Sequence, residues 1–70
     1  MRLVAWKPAA TLKRLRERRG LTQAELAAAI GVHRVTVATW ETGRFRPSVD
    51  MLPRLAKLLD VDVAELLKLK

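Results

Sequence analysis

The sequence contains no cysteine, which excludes disulfides and thiolate metal sites and fits an intracellular, cytoplasmic setting. It has one histidine, His33, and a lone histidine without cysteine or carboxylate partners makes no metal site. Ser48 is the single serine. With so few nucleophiles and bases, and no paired carboxylates set for acid–base work, no enzyme is expected, nor any metal or cofactor. No apolar run approaches the roughly 18 residues of a membrane span, so no membrane partner is expected. The opening MRLVAWKP is too short for a signal peptide. Aromatic residues are scarce: Trp6, Trp40 and Phe45. β-Branched residues are sparse outside short pieces, while alanine and leucine dominate, and that balance favours an all-α chain.

Seventy residues make one domain. A chain this short buries only about 60% of its unfolded surface, so it must pack well or associate. Half of its residues are hydrophobic, enough for a core. The formal charge of +7 is uneven. Residues 1–20 hold seven basic residues against Glu17, residues 21–46 three against two acids, and residues 47–70 four against four. A basic front half and a neutral back half describe a one-sided footprint for a polyanion. The alternative is a solvated basic surface kept for solubility.

Local signals divide residues 8–70 into five helices behind an arm of residues 1–7. Pro8 suits the first position of helix 1, behind Lys7, a poor cap. Leu12 and Leu15 mark the buried stripe of that helix, and Gly20 stops it. Thr22 caps helix 2, and Glu25 three residues later completes a capping box. Leu26, Ala27 and Ile30 share one face. Gly31 sits where a left-handed turn residue belongs. Helix 3 runs from about residue 34 to 42 and ends at Gly43, with Val37 and Trp40 inward. Arg34, Val35, Thr36, Ala38 and Thr39 fall on its other faces. Residues 44–47 form a basic loop. Ser48 can cap helix 4, whose apolar side holds Met51, Leu52, Leu55, Ala56, Leu58 and Leu59. Asp62 can cap helix 5, with Val63, Leu66, Leu67 and Leu69. Two residues fit this pattern poorly. Pro53, about five residues into helix 4, deletes one backbone hydrogen bond, so the first turn is irregular or the helix bends. His33 takes the cap position of helix 3, where Ser, Thr or Asn is preferred. Small residues in helix 2, a tight glycine turn, and short polar side chains outward on helix 3 describe a DNA-reading helix-turn-helix.

The segments LTQAELA (21–27), IGV (30–32), WETG (40–43) and RPS (46–48) carry a family likeness. With VDMLPRLAKLLDVDVAELL continuing as two further helices, the chain resembles the phage-repressor and Cro-like, xenobiotic-response-element type of helix-turn-helix over about residues 8 to 68. The resemblance implies a compact, five-helix, lambda-repressor-like domain with the helix-turn-helix formed by helices 2 and 3. It also implies a regulator of transcription that puts helix 3 in the major groove of double-stranded DNA and works on the nucleoid. His33 departs from the family, which usually has a small polar residue there.

Arg34, Val35, Thr36 and Thr39 are the candidates for base contact. Arginine can bond guanine O6 and N7 together, and valine or a threonine methyl can touch a thymine methyl. Similar residues read bases in the family at the positions matching Arg34, Val35 and Thr39. Alternatively, Arg34 binds only phosphate or solvent. The phosphate candidates are Gln23, His33, Arg44 and Arg46. A helix N-terminus favours anions and the Gln23 amide adds a donor. In the family the matching glutamine touches a phosphate and braces the recognition helix, although here it can equally be a solvent-exposed helix former. Arg44 and Arg46, flanking Phe45, are placed to clamp the sugar-phosphate backbone. His33 either adds a phosphate contact or is an ordinary surface histidine. Arg16 borders the buried stripe of helix 1 and needs a counter-charge, for which Glu41, following the core Trp40, is the candidate. The family has a matching pair tying helix 1 to the end of helix 3. If both instead point to solvent, the pair contributes almost nothing.

One recognition helix spans few base pairs, so a homodimer on a palindromic operator is expected, joined through helix 5 and the Leu3–Trp6 arm. That arm otherwise packs on the body or frays. The rival reading from another class is a protein-interaction module of the same fold, an adaptor or an antitoxin that holds a toxin, marked by an exposed apolar patch.

Overall fold

Residues 6–69, described by a computed structural model, form five helices: α1 Ala9–Arg18, α2 Gln23–Ile30, α3 Arg34–Glu41, α4 Met51–Leu58 and α5 Val63–Leu66. There is no strand among the described residues, and no helix among them is long and apolar enough to cross a membrane. Leu3–Ala5 of the expected arm lie outside the described residues.

The helix ends follow local chemistry. Pro8 takes the cap position of α1, one residue earlier than expected. At α2, the Thr22 hydroxyl accepts from the Glu25 N–H at 3.0 Å, and the Glu25 carboxylate accepts from the Thr22 N–H at 2.8 Å. Gly31 ends α2 at φ 88°, a left-handed conformation that costs a side-chain-bearing residue energy and glycine little. From α4, Arg54 Nη2 donates to the Ile30 carbonyl at 3.0 Å, satisfying one of the acceptors that a helix end leaves unpaired. Nothing in the sequence signals that bond, because 24 residues separate its partners.

Three expectations need correction. Ser48 is not a side-chain cap for helix 4. The chain makes a tight turn there, in which the Met51 and Leu52 N–H groups donate to the carbonyls of Ser48 and Val49, and α4 starts at Met51 behind Asp50. Pro53 is consequently the third residue of α4, where a missing N–H removes no intrahelical bond. Helix 5 is only four residues long. Asp62 caps it by accepting from the Glu65 N–H at 2.9 Å, but Leu67 is its C-cap and Leu69 lies beyond it. The Thr11 hydroxyl donates to the Lys68 carbonyl at 2.6 Å, which draws the chain onto α1 as it leaves the helix.

All five helices turn apolar residues into one core. Leu12, Leu15, Leu26, Val37, Leu55 and Leu66 are fully buried, each contributing roughly 1.5–3 kcal/mol of burial. Trp40 lies beneath α3, and Trp6 packs half-buried against the same cluster. The Trp6 N–H donates to the Gly43 carbonyl at 2.8 Å, tying the start of the described chain to the end of α3.

A charged pair, Arg16 and Glu41, sits among these side chains. Arg16 is buried on α1, and its Nε and Nη2 donate to the two Glu41 carboxylate oxygens at 2.6 and 3.0 Å. Its Nη1 donates to the Leu21 carbonyl at 2.6 Å. Gln23 Nε2 donates to the same carboxylate at 3.0 Å. The two charged side chains are 8% and 3% exposed, so water replaces little of this bonding. Hydrogen bonding to the Glu41 carboxylate raises the Arg16 guanidinium above its ordinary range, against the opposing effect of burial. Removing one partner strands the other. Glu41→Ala is therefore expected to destabilise the domain by about 3–5 kcal/mol in urea or thermal unfolding. Replacing both partners with apolar residues, Arg16→Met with Glu41→Leu, should cost less than Glu41→Ala alone. An unfolding curve unmoved by Glu41→Ala would refute this account of the pair.

Candidate nucleic-acid interface

The glycine turn at Gly31 sets α3 across the end of α2, with Val37 and Trp40 inward. A helix advances 100° per residue, so Val35 and Thr39 fall opposite that buried pair, with Arg34 and Ala38 beside them. Arg34 and Val35 are exposed, Val35 at 55%, while Thr36 and Thr39 are half-buried at the edges of the face. The four base-contact candidates thus share one helix. The Thr39 hydroxyl donates to the Thr36 carbonyl at 2.7 Å, and the Thr42 hydroxyl to the Thr39 carbonyl at 3.0 Å.

The phosphate candidates bracket this helix. His33 is the exposed N-cap of α3 in extended conformation and makes no side-chain cap bond. The first N–H groups of α3 are therefore left for another acceptor, at the end of a helix that favours anions. About 12 Å away along eight residues, Arg44 and Arg46 are exposed in the following loop, on either side of an exposed Phe45. That loop is held by the Arg44 N–H donating to the Thr39 carbonyl at 3.2 Å. Gln23 stands at the first position of α2, with one amide proton on Glu41. An ionised carboxylate only accepts, so the amide nitrogen must face it, and a second amide proton remains.

The electrostatics of this surface follow from where the one nearby acid points. Between residues 31 and 49 the sole acidic residue is Glu41, and its side chain is turned into the core against Arg16. The segment therefore exposes Arg34, Arg44 and Arg46 with no carboxylate among them. Two contacts were not foreseen: Glu41 as the partner through which Gln23, expected from the resemblance to brace the recognition helix, ties α2 to the end of α3, and the Thr39 hydroxyl turned back onto the Thr36 carbonyl. The first joins residues 18 apart. The second was open to anticipation, since a helical threonine can bond the carbonyl three or four residues back. Among the described residues no group of three His, Cys, Asp or Glu side chains could hold a metal ion.

This geometry occurs in known proteins. A helix-turn-helix family model matches residues 12–66. The transcriptional activator BcrR of Enterococcus faecalis is 36% identical over 56 residues, and the chain spans 28% of that relative's length. The solved structure of the restriction-modification controller protein C.AhdI from Aeromonas hydrophila superposes with a TM-score of 0.79 at 36% identity, covering 91% of this chain and 94% of that one. SinR, a master regulator for biofilm formation solved in complex with DNA, superposes with a TM-score of 0.78 at 29% identity, covering 87% and 98%. The fold also occurs within hydroxypropylphosphonic acid epoxidase from S. wedmorenis, with a TM-score of 0.79 at 31% identity, where it accounts for only 35% of the enzyme. With a helix-turn-helix model matching residues 12–66 and a solved relative superposing over 91% of the chain, this protein belongs to the phage-repressor and Cro-like helix-turn-helix family.

Proposed function

We propose that the chain is a sequence-specific, double-stranded-DNA-binding regulator of transcription, acting on the cytoplasmic nucleoid as a homodimer. The observation that carries this reading is the outer face of α3, polar and apolar groups mixed, bounded at both ends by cationic or N–H donors and free of exposed carboxylate. An α-helix fits the major groove, where each base pair shows a distinct edge. Arg34, Val35, Thr36 and Thr39 read those edges. Gln23, through its remaining amide proton, His33, Arg44 and Arg46 hold phosphates and fix the register. The match to SinR, a DNA complex, supports this placement. Residues 1–7 serve as an arm, and residues 8–70 as the DNA-binding domain.

A single short helix specifies few base pairs, so two copies read a two-fold operator with their recognition helices one DNA turn apart, about 34–36 Å. Leu66 is fully buried and serves the core, which leaves Leu67 and Leu69, 37% and 67% exposed, as the apolar contribution of the C-terminal end to the dimer.

Three outcomes are expected. Affinity for duplex DNA should fall with salt at a log–log slope of about −0.9 per phosphate neutralised, measured by titration at several salt concentrations. Salt-independent binding, or none, would favour a protein-interaction module instead. Arg34→Ala should cost about 1–3 kcal/mol on the preferred site and relax preference at one base pair. Arg46→Ala should weaken preferred and random duplexes alike and make the salt slope shallower. Equal weakening of all sequences by Arg34→Ala would reassign that arginine to phosphate. Sedimentation of the protein with a palindromic duplex should give two copies per site. One copy per duplex, and no dimer of the free protein at micromolar concentration, would refute the dimer and leave DNA binding standing.

A further inference from the structure

Two residues on the outer face of α3 present carbon where a base edge is to be read. Val35 and Thr39 are four residues apart, so their side chains stand on one line of the helix, opposite Val37 and Trp40. Val35 is apolar yet 55% exposed. Thr39 looks polar, but its hydroxyl turns back along the helix to the Thr36 carbonyl at 2.7 Å. A hydroxyl has a single proton, so Thr39 has none left for an acceptor on a base and can only accept, from an adenine or cytosine amino group. The remaining branch of its β-carbon is a methyl group. The pair therefore offers two side chains with methyl groups and no free donor, next to Arg34, the hydrogen-bond donor of the same face.

In the major groove, the feature that an apolar side chain can distinguish is position C5 of a pyrimidine. Thymine carries a methyl group there, and cytosine and uracil carry hydrogen. We propose that Val35 and Thr39 together form a reader of the pyrimidine C5-methyl group. The preferred site then has a 5-methylated pyrimidine, thymine or 5-methylcytosine, against this pair. Thr39 sets specificity through its methyl group and not its hydroxyl. The inference rests on α3 entering the major groove as proposed above.

The test starts from a duplex selected out of a random pool. Each thymine of one half-site is replaced in turn by deoxyuridine, and the same positions are also built with cytosine and 5-methylcytosine opposite guanine. At the contacted position, deoxyuridine should weaken binding roughly three- to fivefold, the worth of one buried methyl group. 5-Methylcytosine should bind more tightly than cytosine by a similar factor. Three variants locate the effect. Thr39→Ser keeps a hydroxyl for the Thr36 carbonyl and removes the methyl, and it should shrink the thymine-to-uracil ratio. Thr39→Val keeps a methyl and removes the hydroxyl, and it should preserve the ratio. Val35→Ala, which involves no hydroxyl, should shrink it as well. Equal affinity for thymine and uracil at every position overturns the methyl reader while leaving DNA binding intact. So does a preference that survives Thr39→Ser and is lost in Thr39→Val. Failure to select any duplex overturns both.

Discussion

The carboxylate of Glu41 is the point on which three helices depend. It accepts two bonds from Arg16 on α1 and one from Gln23 at the start of α2, while its own backbone is the last residue of α3. A carboxylate has room for about four donors, so this one is nearly saturated. Its position next to Trp40 gives the arrangement its effect. Trp40 fixes which way α3 faces by hydrophobic burial, which is not directional. The charged bonds add direction, because a planar guanidinium fork meets a carboxylate in only a narrow range of orientations. Rotation and tilt of the recognition helix are thus set by different forces acting at adjacent residues.

The same group shapes the electrostatics outside. Had Glu41 pointed to solvent, it would have placed a negative charge among Arg34, Arg44 and Arg46. Turned inward and neutralised by Arg16, it leaves the outer surface to its cations. Stability and charge complementarity therefore come from one side-chain orientation. The fold alone would not single out this use, since a similar domain forms part of an epoxidase. What points to DNA is the surface built on it.

Most of the architecture was legible in the sequence, and the reasons are local. Thr22 with Glu25, Gly31, and Asp62 each solve a hydrogen-bonding or backbone problem within a few residues, so their types at their spacings reveal the outcome. The misreadings arose where local signals compete. Ser48 resembles a cap, yet the chain closes a backbone turn there and starts α4 three residues later, which also removes the apparent conflict at Pro53. Leu67 and Leu69 continue an apolar pattern, but α5 ends at Leu66. Of the candidate interface, the exposed face of α3 followed from helical periodicity. The partners of Gln23, Arg54 and the Thr39 hydroxyl did not, because they depend on tertiary proximity or on one torsion angle.

The division of α3 into an inner and an outer side has an evolutionary consequence. Val37, Trp40 and Glu41 hold the helix in place, and all three turn inward. Arg34 and Val35 are exposed and contribute little to that attachment, and substitutions at such positions usually change stability by no more than about half a kcal/mol. If those positions read bases as proposed, new sequence preferences can arise there by mutation without first gaining spare stability to absorb the change. A lineage of such proteins can diverge in the operators it recognises while its interior stays nearly constant.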